Sequence, residues 1–346
     1  MTIVHLEDEP WDSGIAAYAL ALAAEQARRG HSVAVWGRLG SPVLAEAAAA
    51  GLAVRGWKNP WIEMPRLRRE MAALAPAVLN AHTGSAHALA LALAPRGAAV
   101  VRTRADARAP KGGALARLVA GRTAAFIAAN SSLKAQLEAA FPGRSARLVM
   151  QGIAGPAAPA PLPREPVVGM IARFDPVKGH EVAIDAVRRV RAAVPAARLV
   201  CAGAGALRER LGWQLKPMGL SDFVSFPGRV ADKWAFLASC RIGLVPSLSS
   251  EAVSRAALEW MAAGRPVVAS RVGGLPDIVE HEVTGILVAP GDARALERAI
   301  ALLLRDAALC EAYAEAARDR WSRLFSLAPF YEDTQRAYEQ AARPAR

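Results

Sequence analysis

The sequence predicts an α/β protein of two doubly wound domains, each a largely parallel sheet with helices on both faces. Three observations carry that expectation. Short apolar runs rich in β-branched residues alternate with amphipathic stretches along most of the 346 residues, and a βαβα alternation folds into a parallel sheet. Residues 155–166 interrupt the series with Pro156, Pro159, Pro161 and Pro163, just ahead of Pro166, a density that excludes helix and central strand and suits a stiff linker. The length itself exceeds the roughly 150 residues that one domain usually holds.

In chain order, the first series reads as strand 2–6, helix 15–29, strand 32–36 and a helical stretch at 42–50, then apolar runs at 77–81, 98–101 and 124–128, each followed by a helix. Asn130 is placed to cap a helix over 133–140 that Phe141, Pro142 and Gly143 end. After the linker come strand 167–171, helix 181–193, strand 198–202, helix 207–215 and strands 223–226 and 242–245. From about residue 292 the chain reads as helical, and 325–342 as a late helix that packs back on the first domain. The expected division is therefore 1–154 with 325–342, a linker at 155–166, and 167–324.

Composition narrows the function classes. A hydrophobic fraction of 53% with 21% charged residues excludes a disordered or fibrous chain. No run of about 18 uncharged apolar residues occurs, and the acids Glu7, Asp8 and Glu9 stand where a secretory signal needs bases. A cytoplasmic location is expected. Cys201, Cys240 and Cys310 are odd in number and lack metal-ligand spacing, so they read as reduced structural thiols. The net charge of +12 is concentrated in the first half, where residues 1–164 hold 19 Lys+Arg against 10 Asp+Glu. These bases, among them Arg66, Arg68, Arg69, Arg102, Arg104, Arg108 and Lys111, have few aromatics between them for base stacking. Nucleic acid is not expected as a partner; an anionic membrane surface or merely solvated arginine is.

Two such domains place ligands outside the carboxyl ends of their strands, facing across a cleft. In the second, strand 167–171 runs into Arg173, Asp175, Pro176, Lys178 and Gly179. Two cations and a glycine ahead of a helix suit a diphosphate, because helix amides, macrodipole and side chains all favour negative charge; two surface bases in a plain loop are the bland alternative. Further on, strand 242–245 ends at Pro246, and Ser249 or Ser250 is placed to cap a helix running to about Ala263. Glu251 then falls at the helix start and Glu259 about two turns later, among Ala256, Ala257, Leu258 and Met261, where it needs a polar partner.

These residues resemble the retaining glycosyltransferases of family 4, with the GT-B fold. The likeness covers nearly all of the second domain: 173–179, Gly203 and Gly205, Phe226 to Val230, the Glu251/Glu259 pair, the Gly264-Arg-Pro-Val-Val segment, Gly273 to Asp277 and Thr284 to Asp292. It is fainter in the first, where Asp12-Ser-Gly14 resembles the family's glycine loop, His82 its strand-end histidine and Gln151-Gly152-Ile153 its segment before the linker. The resemblance implies that Arg173 and Lys178 grip the donor diphosphate, that Glu259 binds ribose and Glu251 the donor sugar, and that His82 lies beside the reacting centre. It places Gly14, Gly203, Gly205, Arg229, Val230 and the segment Ala252, Val253 and Ser254 around the donor. No metal or other cofactor is expected, because the two cations stand where a metal would. The sequence departs from the family where Ala252-Val253-Ser254 replaces Gly-Phe-Gly, and where Ala154 replaces an acid.

The function so implied is transfer of a sugar, with retention, from a nucleoside-diphosphate sugar to a hydroxyl of a glycan or lipid-linked acceptor, in cell-surface polysaccharide or lipopolysaccharide synthesis. The first domain would hold the acceptor, and the enzyme would visit the inner face of the cell membrane. A sugar-nucleotide epimerase or hydrolase on the same fold, and a non-catalytic basic binding protein, are the alternatives.

Overall fold

The computed structural model describes residues 1–11, 13–106, 108, 113–249 and 251–342; Asp12, Lys111 and Ser250, named above, lie outside the described residues. Contacts divide the chain into two units, Met1–Gly152 with Leu327–Arg346, and Ile153–Ser326.

The first unit carries β1 (Thr2–Glu7), β2 (Ser32–Arg38), β3 (Ala53–Trp57), β4 (Val78–Ala81), β5 (Ala99–Arg104), β6 (Ala125–Ala128) and β7 (Ala146–Leu148). They pair in parallel in the order β3-β2-β1-β4-β5-β6-β7. Between them run α1 (Gly14–Arg28), α2 (Pro42–Ala49), α3 (Met64–Leu74), α4 (Gly84–Leu93), α5 (Ala114–Gly121) and α6 (Ser131–Ala140). Side-chain caps set three helix starts: Ser13 accepts from the Ala16 amide, Thr83 from Ala86 and Asn130 from Leu133. Apolar residues from alternate strand positions and inward helix faces, among them Val4, Leu6, Leu79 and Leu89, form one core cluster.

The second unit carries β8 (Val167–Ile171), β9 (Arg198–Ala202), β10 (Val224–Gly228), β11 (Ile242–Val245), β12 (Val267–Ser270) and β13 (Gly285–Val288), parallel in the order β10-β9-β8-β11-β12-β13. Its helices are α7 (His180–Val190), α8 (Leu207–Leu215), α9 (Lys233–Ala238), α10 (Arg255–Ala262), α11 (Leu275–Ile278), α12 (Ala293–Arg305) and α13 (Ala307–Arg320). After a π-helical turn, Trp321–Phe325, α14 (Leu327–Ala342) belongs with the first unit. There the Tyr338 hydroxyl accepts from Asn80 Nδ2 at 2.6 Å, and Phe330 meets Tyr18 edge-on at 4.8 Å.

The proline-rich segment is strapped to the second unit. Prolines leave carbonyls without ladder partners, and three arginines supply them. Fully buried Arg265 donates to the carbonyls of Ala160 and Pro161, Arg241 to Pro163, and Arg318 to Pro156.

Candidate active site

In the second unit β8 and β11 are neighbours whose chains leave toward opposite edges, which makes the gap beyond their carboxyl ends the topological switch point. The loop after β8 is anchored by Phe174, fully buried, stacked on His180 at 4.2 Å and edge-on to Phe226 at 5.1 Å. Its neighbour Arg173 points outward, 72% exposed, and pairs with Asp175 at 2.9 Å. A single 3-10 turn, Pro176–Lys178, then leads to Gly179 at φ 74°. Any Cβ there would strike the Pro246 carbonyl, so glycine is what lets this loop lie against the end of β11. The two loops are joined directly, since the Leu248 amide donates to the Val177 carbonyl at 2.8 Å.

This contact brings two of the sequence-predicted residues together. Glu251 Oε1 accepts from Lys178 Nζ and from Ser247 Oγ, each at 2.6 Å, with the carboxylate only 4% exposed. The helix start differs from the expectation. Glu251 precedes α10 by a loop of three residues, its carbonyl held by the Gly274 amide at 2.7 Å, and the helix begins at Arg255. Neither Ser249 nor Glu251 therefore opens it; Ser254 stands at the N-cap with its hydroxyl buried and without a hydrogen-bond partner among the described residues. Ala252 and Val253 are half-buried in that loop.

Glu259, buried in α10, has the polar partners its surroundings demand: Lys233 Nζ at 2.8 Å and Arg255 at 3.5 Å. Sequence reasoning named neither cation, nor Ser247, although Lys233 stands three residues past the quoted Val230. After β9, Gly203 at φ 146° lies so close to the Ala172 carbonyl that no side chain fits, and Gly205 lies likewise against the Phe174 backbone. The Gly203 amide donates to Gly228 at 2.8 Å, next to exposed Arg229 and half-buried Val230. The result is two buried carboxylates with cations on them, Lys178 on Glu251 and Lys233 with Arg255 on Glu259, while Arg173 is paired with Asp175. The arrangement offers charge for an anion and carboxylates for hydroxyl donors.

The first unit has its own switch point, between β1 and β4. His82, which follows β4, is wholly enclosed, and its Nε2 lies 2.9 Å from His5 Nδ1. His5 Nε2 in turn donates to Gln26 Oε1 at 2.7 Å, which makes His5 Nδ1 an acceptor and His82 Nε2 the donor to it. Burial pushes the His5 imidazole down to about 4, and burial together with His5 and Arg102 holds His82 well below the usual range. Both rings are neutral at physiological pH. Gly14 is the first residue of α1. At the end of β1, Glu7 is buried with Oε2 unpartnered among the described residues, and burial, reinforced by the charges of Glu9 and Asp8, raises its carboxyl to about 8.

Beyond these strand ends lies a cavity of about 720 Å³, lined by the polar residues Asp8, Glu9, Thr83, Arg102, Arg104 and Asp106 and by the apolar Trp11, Val119, Phe126, Leu137 and Phe141. Arg102 and Arg104, read from sequence as scattered bases, are in fact buried. Their spacing of two on a strand puts both on one face, the signal that could have paired them. No helix of the described residues is long and apolar enough to cross a membrane.

Residues 157–320 match the profile of the family described as Glycosyl transferases group 1, and residues 13–153 that of Glycosyltransferase Family 4. A phosphatidyl-myo-inositol mannosyltransferase of Mycobacterium leprae is 32% identical over 42% of this chain and 39% of its own length. The amylovoran biosynthesis glycosyltransferase AmsK of Erwinia amylovora is 33% identical over 39% and 34%, and an exopolysaccharide phosphotransferase of Streptomyces coelicolor 31% over 53% and 21%. The chain thus matches about a fifth to two fifths of the length of these relatives. Among solved structures, HepE of Anabaena in complex with UDP superimposes with a TM-score of 0.84 over 98% of this chain and all of that one, at 20% identity. The lipopolysaccharide outer core galactosyltransferase WaaB gives 0.75 over 97% and 99%, at 14% identity. At these identities the structural matches establish the fold.

Proposed function

From the premise that the chain belongs to the group 1 glycosyl transferases and has the GT-B fold, we propose that it moves a sugar from a nucleoside-diphosphate sugar to a hydroxyl of a glycan or lipid-linked acceptor, with retention at the anomeric carbon. The donor occupies the switch point between β8 and β11. The observation that carries this reading is the joining of the Lys178 loop to the Glu251 loop, with the ammonium and the carboxylate in contact at 2.6 Å. A donor diphosphate draws Lys178 and Arg173 to itself and frees Glu251 for the hydroxyls of the sugar; Glu259 takes those of the ribose. HepE is described in complexes with UDP and with UDP-glucose, which supports a nucleotide-sugar ligand here.

In the reaction the bond from the anomeric carbon to the diphosphate breaks, and its electron pair goes to the phosphate oxygen. The acceptor oxygen bonds the same face of that carbon, and its proton passes to the departing phosphate. Arg173 and Lys178 stabilise the charge that accumulates there, so no metal ion is required. His82, enclosed as it is, serves this scheme as a positioning group at the end of β4. Cell-surface polysaccharide or lipopolysaccharide synthesis is the proposed setting, with the protein at the inner membrane face.

Turnover of a panel of UDP-, GDP- and ADP-sugars, with the product anomer read by NMR, tests the proposal. One donor consumed with retention, and undiminished in excess EDTA, is expected. Inversion, restoration of a lost activity by magnesium, or donor isomerisation without transfer overturns it.

A further inference from the structure

Glu251 is fixed from two directions. Its backbone is pressed against the turn that follows β12: the carbonyl accepts from the Gly274 amide at 2.7 Å, and Gly273, at φ 56°, lies so close that a Cβ there would strike it. Its side chain rests on Ser247, the second residue past β11 and 1% exposed, whose Oγ donates to Oε1 at 2.6 Å. Lys178 Nζ falls on the same oxygen at the same distance. Both contacts are as short as charge-assisted hydrogen bonds become.

The two donors are not equivalent. Lys178 carries its ammonium on a flexible four-carbon stem and is 22% exposed, so a phosphate competes for it. Ser247 has a one-carbon stem, is enclosed, and bears no charge to attract a phosphate. When an anion draws the ammonium away, a buried carboxylate oxygen without a donor would be costly. The Ser247 hydroxyl is the donor that stays. It is not placed to react itself, because its proton is committed to Glu251.

We propose that Ser247 is a positioning residue, which keeps the Glu251 carboxylate in place for the hydroxyls of the donor sugar once Lys178 has turned to the diphosphate. Its part in sugar binding rests on the nucleotide-sugar reading; the holding of Glu251 by two donors does not. The consequence is a division of the site, in which loss of Ser247 weakens the grip on the sugar and spares the grip on the nucleotide.

Isothermal calorimetry on the full chain, with UDP against UDP-glucose, GDP against GDP-mannose and ADP against ADP-glucose, reads that division. For the pair that binds, Ser247→Ala is expected to weaken the nucleotide sugar about ten-fold, as the loss of one hydrogen bond to a charged group does, and to leave the nucleoside diphosphate within about two-fold. Ser247→Cys, with its weak S–H donor, should fall between. In a Glu251→Ala background Ser247→Ala should add nothing, because the hydroxyl then has no carboxylate to hold; a merely structural role would persist there. Thermal unfolding tests the holding of Glu251 without ligand. Lys178→Met and Ser247→Ala each leave the carboxylate one donor, so the double variant should lower the melting temperature by more than the sum of the single shifts. Equal weakening of diphosphate and nucleotide sugar, an undiminished effect without Glu251, or additive melting shifts overturn the proposal. Binding of none of the six nucleotides overturns the donor reading, and the role in sugar binding with it, while the melting shifts still decide whether Ser247 and Lys178 share Glu251.

Discussion

In the second unit the loops after β8 and β11 are tied by a backbone hydrogen bond and a Lys178–Glu251 pair, and glycines bring backbone against backbone. In the first unit the loops after β1 and β4 instead border a cavity lined by Glu9 and Arg104, each of which keeps a buried polar atom without a partner among the described residues. The strand order around the two switch points is the same. Shared topology thus fixes where a site forms, and the loops decide whether it is a closed, charge-paired grip or an unfilled polar cavity. The first arrangement leaves a mark in sequence, because close backbone approach demands glycine at fixed places; the second leaves almost none.

The largest expected effect breaks the tight packing of the second unit. Gly203→Ala drives a methyl into the Ala172 carbonyl at a left-handed φ, and a loss above about 4 kcal/mol is expected. Gly84→Ala, at the cavity of the first unit, meets open space and should be neutral or slightly stabilising. Thermal unfolding of the two variants side by side reads the contrast, and equal melting temperatures would refute it. Next in size, Lys178→Ala should lower turnover about 100- to 1000-fold, more than it weakens donor binding, since the charge it meets grows as the bond breaks. A change confined to KM would make it a docking contact only.

Glu259→Ala should weaken nucleotide-sugar binding by roughly 1.5–3 kcal/mol, measured by calorimetry. The pH dependence of stability, by contrast, belongs mostly to the first unit. Glu7, raised to about 8, holds a proton that the unfolded chain loses near 4.5, so stability falls as pH rises between those values. His5, lowered to about 4, and His87, lowered to about 3, refuse protons that the unfolded chain takes up below 6.5, so stability also falls as pH drops from there. The histidines outweigh Glu7 below 6.5, and the maximum is expected near that pH. Glu7→Gln should flatten the alkaline decline, which otherwise amounts to at most about 1.4 kcal/mol per pH unit; an unchanged slope between pH 6.5 and 8 would assign it elsewhere. The smallest effect concerns the membrane. Two of the bases in the first unit are buried, so pelleting with anionic vesicles should be modest and lost at high salt, at up to about 1 kcal/mol per surface base. Equal pelleting with neutral vesicles would exclude an electrostatic contact.

Long, strongly patterned elements were legible in the sequence: α1, α6 with its Asn130 cap, and β8, β9 and β11 stand where periodicity puts them. β3 was not, because Ala53 and Val54 are exposed at a sheet edge and the strand lacks alternation. β12 and β13 are only four residues long and buried throughout, so periodicity has nothing to register. The helical reading of 252–254 failed for a tertiary reason. Ala252 and Val253 suit a helix locally, but the Gly274 amide holds the Glu251 carbonyl outside it. Of the candidate site's ion pairs, Lys178, Glu251 and Glu259 were named from the sequence, whereas Lys233 and Arg255 emerge as partners of Glu259 only in the folded chain. The first-unit cavity draws on the ends of β1, β4 and β5 and on α5 and α6, and no local spacing could disclose it.

Hydrogen exchange on the full chain, with and without the donor that turns over, tests the central claim most directly. Slowed exchange at 173–179 and 246–259, with little change at 8–11 and 83–88, is the predicted result. Protection confined to 8–11 and 83–88, with 173–179 unaffected, would contradict it.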